Sequence, residues 1–234
     1  MAAATYHERR GELLTYFDRT AVEAWKRLTS DAPVSGIRAT VRAGREMMRA
    51  TLLSWLPEDL SGLRILDAGC GTGSLAVAAA ARGADVVAVD LSPTLIGLAR
   101  ERAEAQHLRG RVTFHAGDML DPCFGTFDHV VAMDSLIHYR SADAVEAIAG
   151  LAARTRLSIL FTFAPRTPAL ALMHAVGRLF PRGDRAPAIE PVGPRRLGRL
   201  IASEEALSGW RLGRTRRVSR GFYTSQAQEL VRQW

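Results

Sequence analysis

From Arg64 to Phe163 short apolar runs alternate with longer amphipathic ones, and that rhythm predicts strand, helix, strand. Strands are expected at Arg64–Leu66, Asp85–Val89, Val112–His115, His129–Met133 and Ser158–Phe163. Set in this rhythm of strand, helix, strand, they mean a parallel sheet. Helices fall between them: Leu75–Ala81, then Thr94–His107 opened by Ser92 and Pro93 as N-cap and first residue, then a helix through Ala153 that Ser141 can cap.

Outside this α/β stretch the pattern changes. Leu13, Leu14, Phe17, Val22, Trp25 and Leu28 approximate helical spacing, and Asp31–Pro33 breaks it. Ser35 is a plausible N-cap for a helix through Ile37, Val41, Met48, Leu52 and Leu56, ended by Pro57. Past Pro165, prolines at 168, 181, 187, 191 and 194 punctuate an apolar stretch, Ala169–Phe180, and a short helix near Arg195–Glu205. Trp210–Val218 and Phe222–Ser225 then read as a closing hairpin. The expected organisation is one domain, with residues 1–57 as a helical cap and 166–207 as a helical insertion or lid.

A chain of 234 residues that is 47% hydrophobic has room for one such core. Cys70 and Cys123 lie too far apart in sequence to suggest a disulfide framework or a zinc site. The start, MAAATYHERR, carries charge where a signal peptide needs an apolar core, and no apolar run approaches the roughly 18 residues of a membrane span. A cytoplasmic protein is the expectation. The net charge of +7 invites nucleic acid. Against that, the arginines are spread over the whole chain and Lys26 is the sole lysine, a compositional bias rather than a basic arm. The same charge suits anionic lipid, and the arginine fork suits carboxylates.

The chemistry concentrates in LDAGCGTGSL, Leu66–Leu75, where Gly69, Gly71 and Gly73 fill the turn from strand to helix and let backbone approach a ligand. Asp90 ends the next strand, where an acid accepts from both ribose hydroxyls of a nucleotide-like cofactor. Gly71, Gly73 and Ala76 satisfy the weaker dinucleotide pattern, which keeps NAD open. Asp67, ahead of the first glycine, would repel a pyrophosphate and attract the ammonium group of S-adenosylmethionine. Asp118, in HAGDM, can accept from an adenine amino group, and Leu91 and Met119 stand beside the two distal acids as further cofactor contacts. The fourth strand leads into MDSLIHY, Met133–Tyr139, which places Asp134 and His138 toward the reactive end. Tyr16 lies on the N-terminal amphipathic segment, and Arg42 and Arg45 on the following helix could bind a carboxylate of cofactor or substrate.

Three acids on successive strand ends resemble class I S-adenosylmethionine-dependent methyltransferases, whose Rossmann-like fold has a mostly parallel seven-stranded sheet with one antiparallel strand. The segments Tyr16–Asp31, Ile37–Arg45, Met133–Tyr139, Phe161–Pro168 and Arg220–Gln226 are similar to one family in particular, the magnesium-protoporphyrin IX methyltransferases of bacteriochlorophyll synthesis. The resemblance implies methyl transfer from S-adenosylmethionine to a propionate of Mg-protoporphyrin IX, leaving S-adenosylhomocysteine, with Tyr16 and His138 as catalytic residues and the magnesium carried by the substrate rather than by the protein. It also implies partnership with the porphyrin-binding subunit of magnesium chelatase and peripheral contact with the photosynthetic membrane, and gives no role to nucleic acid. His138 either orients the propionate or ligates the substrate's magnesium. Ala169–Phe180 serves as a wall of the porphyrin cleft, a membrane-facing stripe, or an ordinary packed helix.

Overall fold

The computed structural model describes residues 2–16, 18, 36–166 and 189–233. Within them lie helices α1 (Ala2–Thr15), α2 (Gly36–Ser54), α3 (Ser74–Ala81), α4 (Pro93–Glu104), α5 (Ser141–Ala152) and α6 (Pro194–Ser203). The strands are β1 (Arg64–Ala68), β2 (Asp85–Asp90), β3 (Arg111–Ala116), β4 (Phe127–Ala132), β5 (Thr155–Phe163), β6 (Trp210–Arg220) and β7 (Tyr223–Arg232). They form a seven-stranded sheet in the order β3-β2-β1-β4-β5-β7-β6. The first five pair in parallel, and β7 runs antiparallel to both its neighbours.

The continuous apolar runs follow from burial on both faces. Ile65, Val86, Ala88, Val131 and Leu160 point to one side, where they pack with α2, α3 and α4. Leu66, Val87, Val89, Val130, Ile159 and Phe161 point to the other and meet α1, α5 and α6. Strand order reverses between β1 and β4, so the loops at their carboxyl ends part and leave a crevice.

Ser92 caps α4 as expected, its hydroxyl accepting from the N–H of Leu95. Ser141 does not cap α5: it is the first helical residue, Arg140 holds the cap position, and no side chain bonds there. The helix expected to reach His107 ends at Glu104. The last strand runs on past Ser225 to Arg232, because pairing with β5 and β6 on its two edges satisfies a backbone that carries Gln226, Gln228 and Glu229. Glu229 is compensated by Arg214, which donates to both its carboxylate oxygens. The Ser35 cap, most of the segment Phe17–Leu28 and the stretch Ala169–Phe180 lie outside the described residues.

Candidate active site

The glycine-rich turn is shaped by what its neighbours demand. The N–H groups of Gly69 and Cys70 both donate to the carbonyl of Val89, which ties the turn to the end of β2. Gly69 adopts φ +83, and a Cβ there would fall 2.3 Å from that of Ser135, so only glycine lets the loop after β4 approach. Gly71, at φ +55, would aim a Cβ into open space, which leaves room for a ligand beside its backbone. Asp90 accepts from Gly71 N at 2.8 Å and from Ser92 N at 3.0 Å, one bond to each oxygen. Burial raises its pKa even so.

These groups open on a cleft whose empty space, counted with the solvent at its mouth, is about 710 Å³. Gly69, Gly71, Asp90, Leu91, Asp118, Met119, Asp134 and His138 all stand on its wall. Asp67 does not: it lies behind the turn, 1% exposed, and its Oδ2 has no hydrogen-bond partner. Burial pushes its pKa up to about 7, the Ala76 N–H works against the rise, and the Asp90 charge adds to it. Gly73 opens α3 with φ +76 and packs against the Phe114 ring.

The roof of the cleft comes from α1. Asp118 Oδ1 accepts from the Tyr6 hydroxyl at 3.0 Å and from Leu120 N at 3.0 Å, while Oδ2 takes Arg10. Tyr6 stacks on Tyr139 with ring centroids 4.9 Å apart, and Arg9 Nε donates to the carbonyl of His138 at 2.9 Å. Burial raises the pKa of Tyr139 to about 12, so both stacked phenols are neutral donors at neutral pH. The loop bearing Asp118 and Met119 is held from below by Arg154, which donates to the carbonyls of Met119, Asp121 and Gly125. Past α1, Asp18 Oδ1 receives Ser92 Oγ at 3.0 Å, Thr94 Oγ1 at 2.7 Å and Thr94 N at 3.3 Å, a clasp on the N-terminus of α4.

At the other end of the cleft Asp134 takes the left-handed conformation, φ +55, and ion-pairs with Arg45 at 2.7 Å. Four residues on, His138 ends a 3₁₀ turn, Leu136–His138. His138 lines both the cleft and an adjoining polar pocket with Arg9, Arg140 and Glu190. It therefore stands at the boundary between two cavities, where a group bound in one can meet a group bound in the other.

Besides Asp67 and Gly73, two more sequence-based candidates, Arg42 and Tyr16, sit away from this wall. Arg42 lies on α2 three residues before Arg45, and it is Arg45 that reaches the cleft. Tyr16 is half-buried just beyond α1, two residues before the Asp18 clasp, whereas the tyrosines on the described wall are Tyr6 and Tyr139. Tyr6, Arg10 and Asp18 went unrecognised in the sequence. Tyr6 and Arg10 share the i, i+4 face of a helix, but nothing local reveals that this face meets a loop 112 residues away. Among the described residues, no group of three or more His, Cys, Asp or Glu could hold a metal ion.

A family model described as "Magnesium-protoporphyrin IX methyltransferase C-terminus" matches residues 132–232, and one described as "Methyltransferase domain" matches residues 65–156. The chain is similar to a magnesium-protoporphyrin O-methyltransferase of Rhodobacter capsulatus, with 50% identity over 96% of this chain and 97% of that protein. It also superposes on the crystal structure of a magnesium protoporphyrin IX methyltransferase from Synechocystis with bound S-adenosylhomocysteine, at TM-score 0.83 and 30% identity, covering 95% of this chain and 99% of that one. A second structure of the Synechocystis protein, with bound S-adenosylmethionine, gives TM-score 0.77 and 26% identity over 96% and 97% of the two chains.

Proposed function

The chain belongs to the magnesium-protoporphyrin IX methyltransferase family, and from that premise we propose how its residues carry a methyl group from S-adenosylmethionine to a propionate carboxylate of Mg-protoporphyrin IX. The product is the monomethyl ester on the way to (bacterio)chlorophyll. The observation that carries this reading is the 50% identity over 96% of the chain, which takes in the cofactor half and the C-terminal half alike.

When bound, S-adenosylmethionine supplies a methyl group on a positively charged sulfur. The residues fit such a ligand. Each Asp90 oxygen already takes a backbone N–H and keeps a second lone pair for a ribose hydroxyl. Leu91 and Met119 offer apolar flanks to adenine, and Asp118 an acceptor for its amino group, shared with Tyr6 and Arg10. Arg45, held at the reactive end, suits the cofactor's carboxylate better than Arg42 does. The buried acids Asp67 and Asp90 give the wall a negative potential that favours a cation.

A propionate resembles glutamate, with an unperturbed pKa of about 4.3, so it is ionised at neutral pH and needs no general base. What remains is aim and exclusion of water, from which a well-oriented pair can gain roughly 7 to 11 kcal/mol. His138, at the junction of the two cavities, orients the carboxylate through a hydrogen bond. Tyr16, two residues before the Asp18 clasp and not itself on the described wall, is the residue proposed to complete the enclosure from the N-terminal side. Residues 1–57 act in this reading as a cap, and 166–207 as the insertion that flanks the macrocycle. No helix among the described residues is long and apolar enough to cross a membrane. The net charge of +7 and the exposed arginines of β6, Arg211, Arg216, Arg217 and Arg220, support peripheral contact with anionic lipid. Partnership with the porphyrin-binding subunit of magnesium chelatase rests on the family resemblance.

Calorimetry with S-adenosylmethionine, S-adenosylhomocysteine and NAD tests the cofactor side: the first two are expected to bind, and binding of NAD alone would overturn the reading. A pH dependence is expected as well. Asp67 has a raised pKa in the folded apo protein, so at pH below about 7 it holds a proton that a cationic ligand must expel. S-adenosylmethionine affinity should therefore fall by up to about tenfold per pH unit from 7 to 5, level off above 8, and lose this slope in Asp67→Asn. For the clasp, Asp18→Ala should weaken S-adenosylhomocysteine binding by about five- to tenfold, read by the same method, since it removes a charged acceptor of three bonds at a helix N-terminus.

A further inference from the structure

We infer that Tyr223 and Ser225, on the last strand and 89 and 91 residues beyond Asp134, are positioning residues for methyl transfer, acting through Asp134 on Arg45. The inference rests on the reading above for the reaction itself. Its basis is a knot of side chains under the reactive end of the cleft. Asp134 is the one described non-glycine residue with positive φ, a conformation that most side chains avoid and that costs least for Asn and Asp. Its side chain is 6% exposed. The Tyr223 hydroxyl lies 3.1 Å from both carboxylate oxygens, Ser225 Oγ donates at 3.2 Å and Thr162 Oγ1 at 3.1 Å. The backbone N–H of Asp134 donates to the same Thr162 Oγ1 at 2.7 Å. Arg45 Nη1 closes the knot at 2.7 Å.

A buried carboxylate facing one guanidinium still has lone pairs to satisfy, and the three hydroxyls fill them. Without them Asp134 has less to hold it in the left-handed bend, from which the chain runs to His138 four residues on. Tyr223 cannot shift to compensate. Its side chain lies against α2 at Gly44, where a Cβ would come 2.5 Å from Cδ1, and the hairpin before it turns at Gly221 (φ +56) against Thr40. Gly44 immediately precedes Arg45, so one helix position seats the tyrosine and the next presents the guanidinium. Four elements thereby converge on one carboxylate: α2, the end of β4, β5 and β7. This gives a function to Arg220–Gln226, a segment that carries the family likeness without entering the cleft.

A purely structural knot would also tie α2 to the sheet, so the test must separate stability from aim. Tyr223→Phe, Ser225→Ala, the pair, Ser225→Thr, Arg45→Lys, and Arg45→Lys combined with Tyr223→Phe are compared with wild type. The readouts are Tm, S-adenosylhomocysteine affinity by calorimetry, and kcat and KM with Mg-protoporphyrin IX. The paired hydroxyl deletion is expected to fold, to weaken S-adenosylhomocysteine by about tenfold, and to lower kcat by about 10- to 30-fold with the porphyrin KM changed by less than about threefold. Ser225→Thr, which keeps the hydroxyl, should lose less kcat and less S-adenosylhomocysteine affinity than Ser225→Ala. On the Arg45→Lys background Tyr223→Phe should add less than about threefold, because both act on one ion pair. A lowered Tm with unchanged kcat and unchanged S-adenosylhomocysteine affinity would overturn the inference, as would fully multiplicative effects of Tyr223→Phe and Arg45→Lys. Should the pair fail to fold, Tyr223→Phe alone is read by the same criteria. If wild type makes no ester, the underlying reading fails, while ligand affinity and the non-additivity still decide whether Tyr223 acts on Arg45.

Discussion

His138→Ala is expected to lower kcat/KM for Mg-protoporphyrin IX by about 10²-fold or more while leaving S-adenosylhomocysteine affinity within about threefold. The size follows from its place. His138 is on the wall of both the cofactor cleft and the adjoining polar pocket, and its backbone carbonyl is fixed by Arg9. In the proposed reading a side chain there touches the propionate rather than the cofactor's ribose or adenine, so its loss disturbs the aim of the nucleophile and spares the contacts that set cofactor affinity. No proton has to be removed from an ionised carboxylate, so kcat should show no limb that tracks imidazole acting as a base. Metal-free protoporphyrin distinguishes the two possible roles. An equal loss with both porphyrins is expected from orientation. A loss confined to the magnesium porphyrin would instead make His138 a ligand of the substrate's metal.

Asp90→Ala should be the most damaging change to cofactor binding. In the proposed reading the carboxylate offers one charged acceptor to each of two ribose hydroxyls, and bonds of that kind contribute roughly 1.5 to 3 kcal/mol each, so Kd should rise by about 10² to 10⁴. The same carboxylate receives Gly71 N and Ser92 N. Its loss orphans both donors and loosens the glycine turn from the cap of α4. Asp90→Asn keeps an acceptor oxygen and should lose less. Thermal stability is expected to move far less than affinity, since burial already raises the pKa of Asp90 and its ionised form is not what holds the apo fold together. Calorimetry with S-adenosylhomocysteine, run beside thermal melts, measures both.

The sheet was legible because β1, β2, β4 and β5 carry short apolar runs buried on both faces, while the edge strand β3 is mostly exposed and was read from its place in the strand–helix rhythm, and Ser92–Pro93 marks a helix start that needs no tertiary information. The glycine turn, Asp90 and Asp118 were legible for a related reason: strand ends in an open α/β sheet converge on one crevice whatever the rest of the chain does. Other parts depended on long-range contacts that no local pattern records. Asp67 has the residue type expected of a cofactor ligand, yet its position within β1 turns it behind the glycines, out of reach of the cleft. Arg42 and Arg45 are three positions apart on one helix, and only the pairing with Asp134 selects the second. Tyr6, Arg10 and Asp18 carry signals of a helix face and a loop acid, and become part of the site only because the N-terminal segment folds back over Asp118 and α4. In β7, Gln226, Gln228 and Glu229 made the strand seem to stop early, since two flanking strands can satisfy a polar sequence that periodicity alone does not identify.

Most directly at stake is the acceptor. Purified protein incubated with Mg-protoporphyrin IX and S-adenosylmethionine labelled in its methyl group should yield one label per porphyrin, held in an ester that alkaline hydrolysis releases as methanol, with S-adenosylhomocysteine formed in equal amount. Binding of S-adenosylmethionine with no labelled ester, or label in a product that resists hydrolysis, would contradict transfer to a propionate carboxylate.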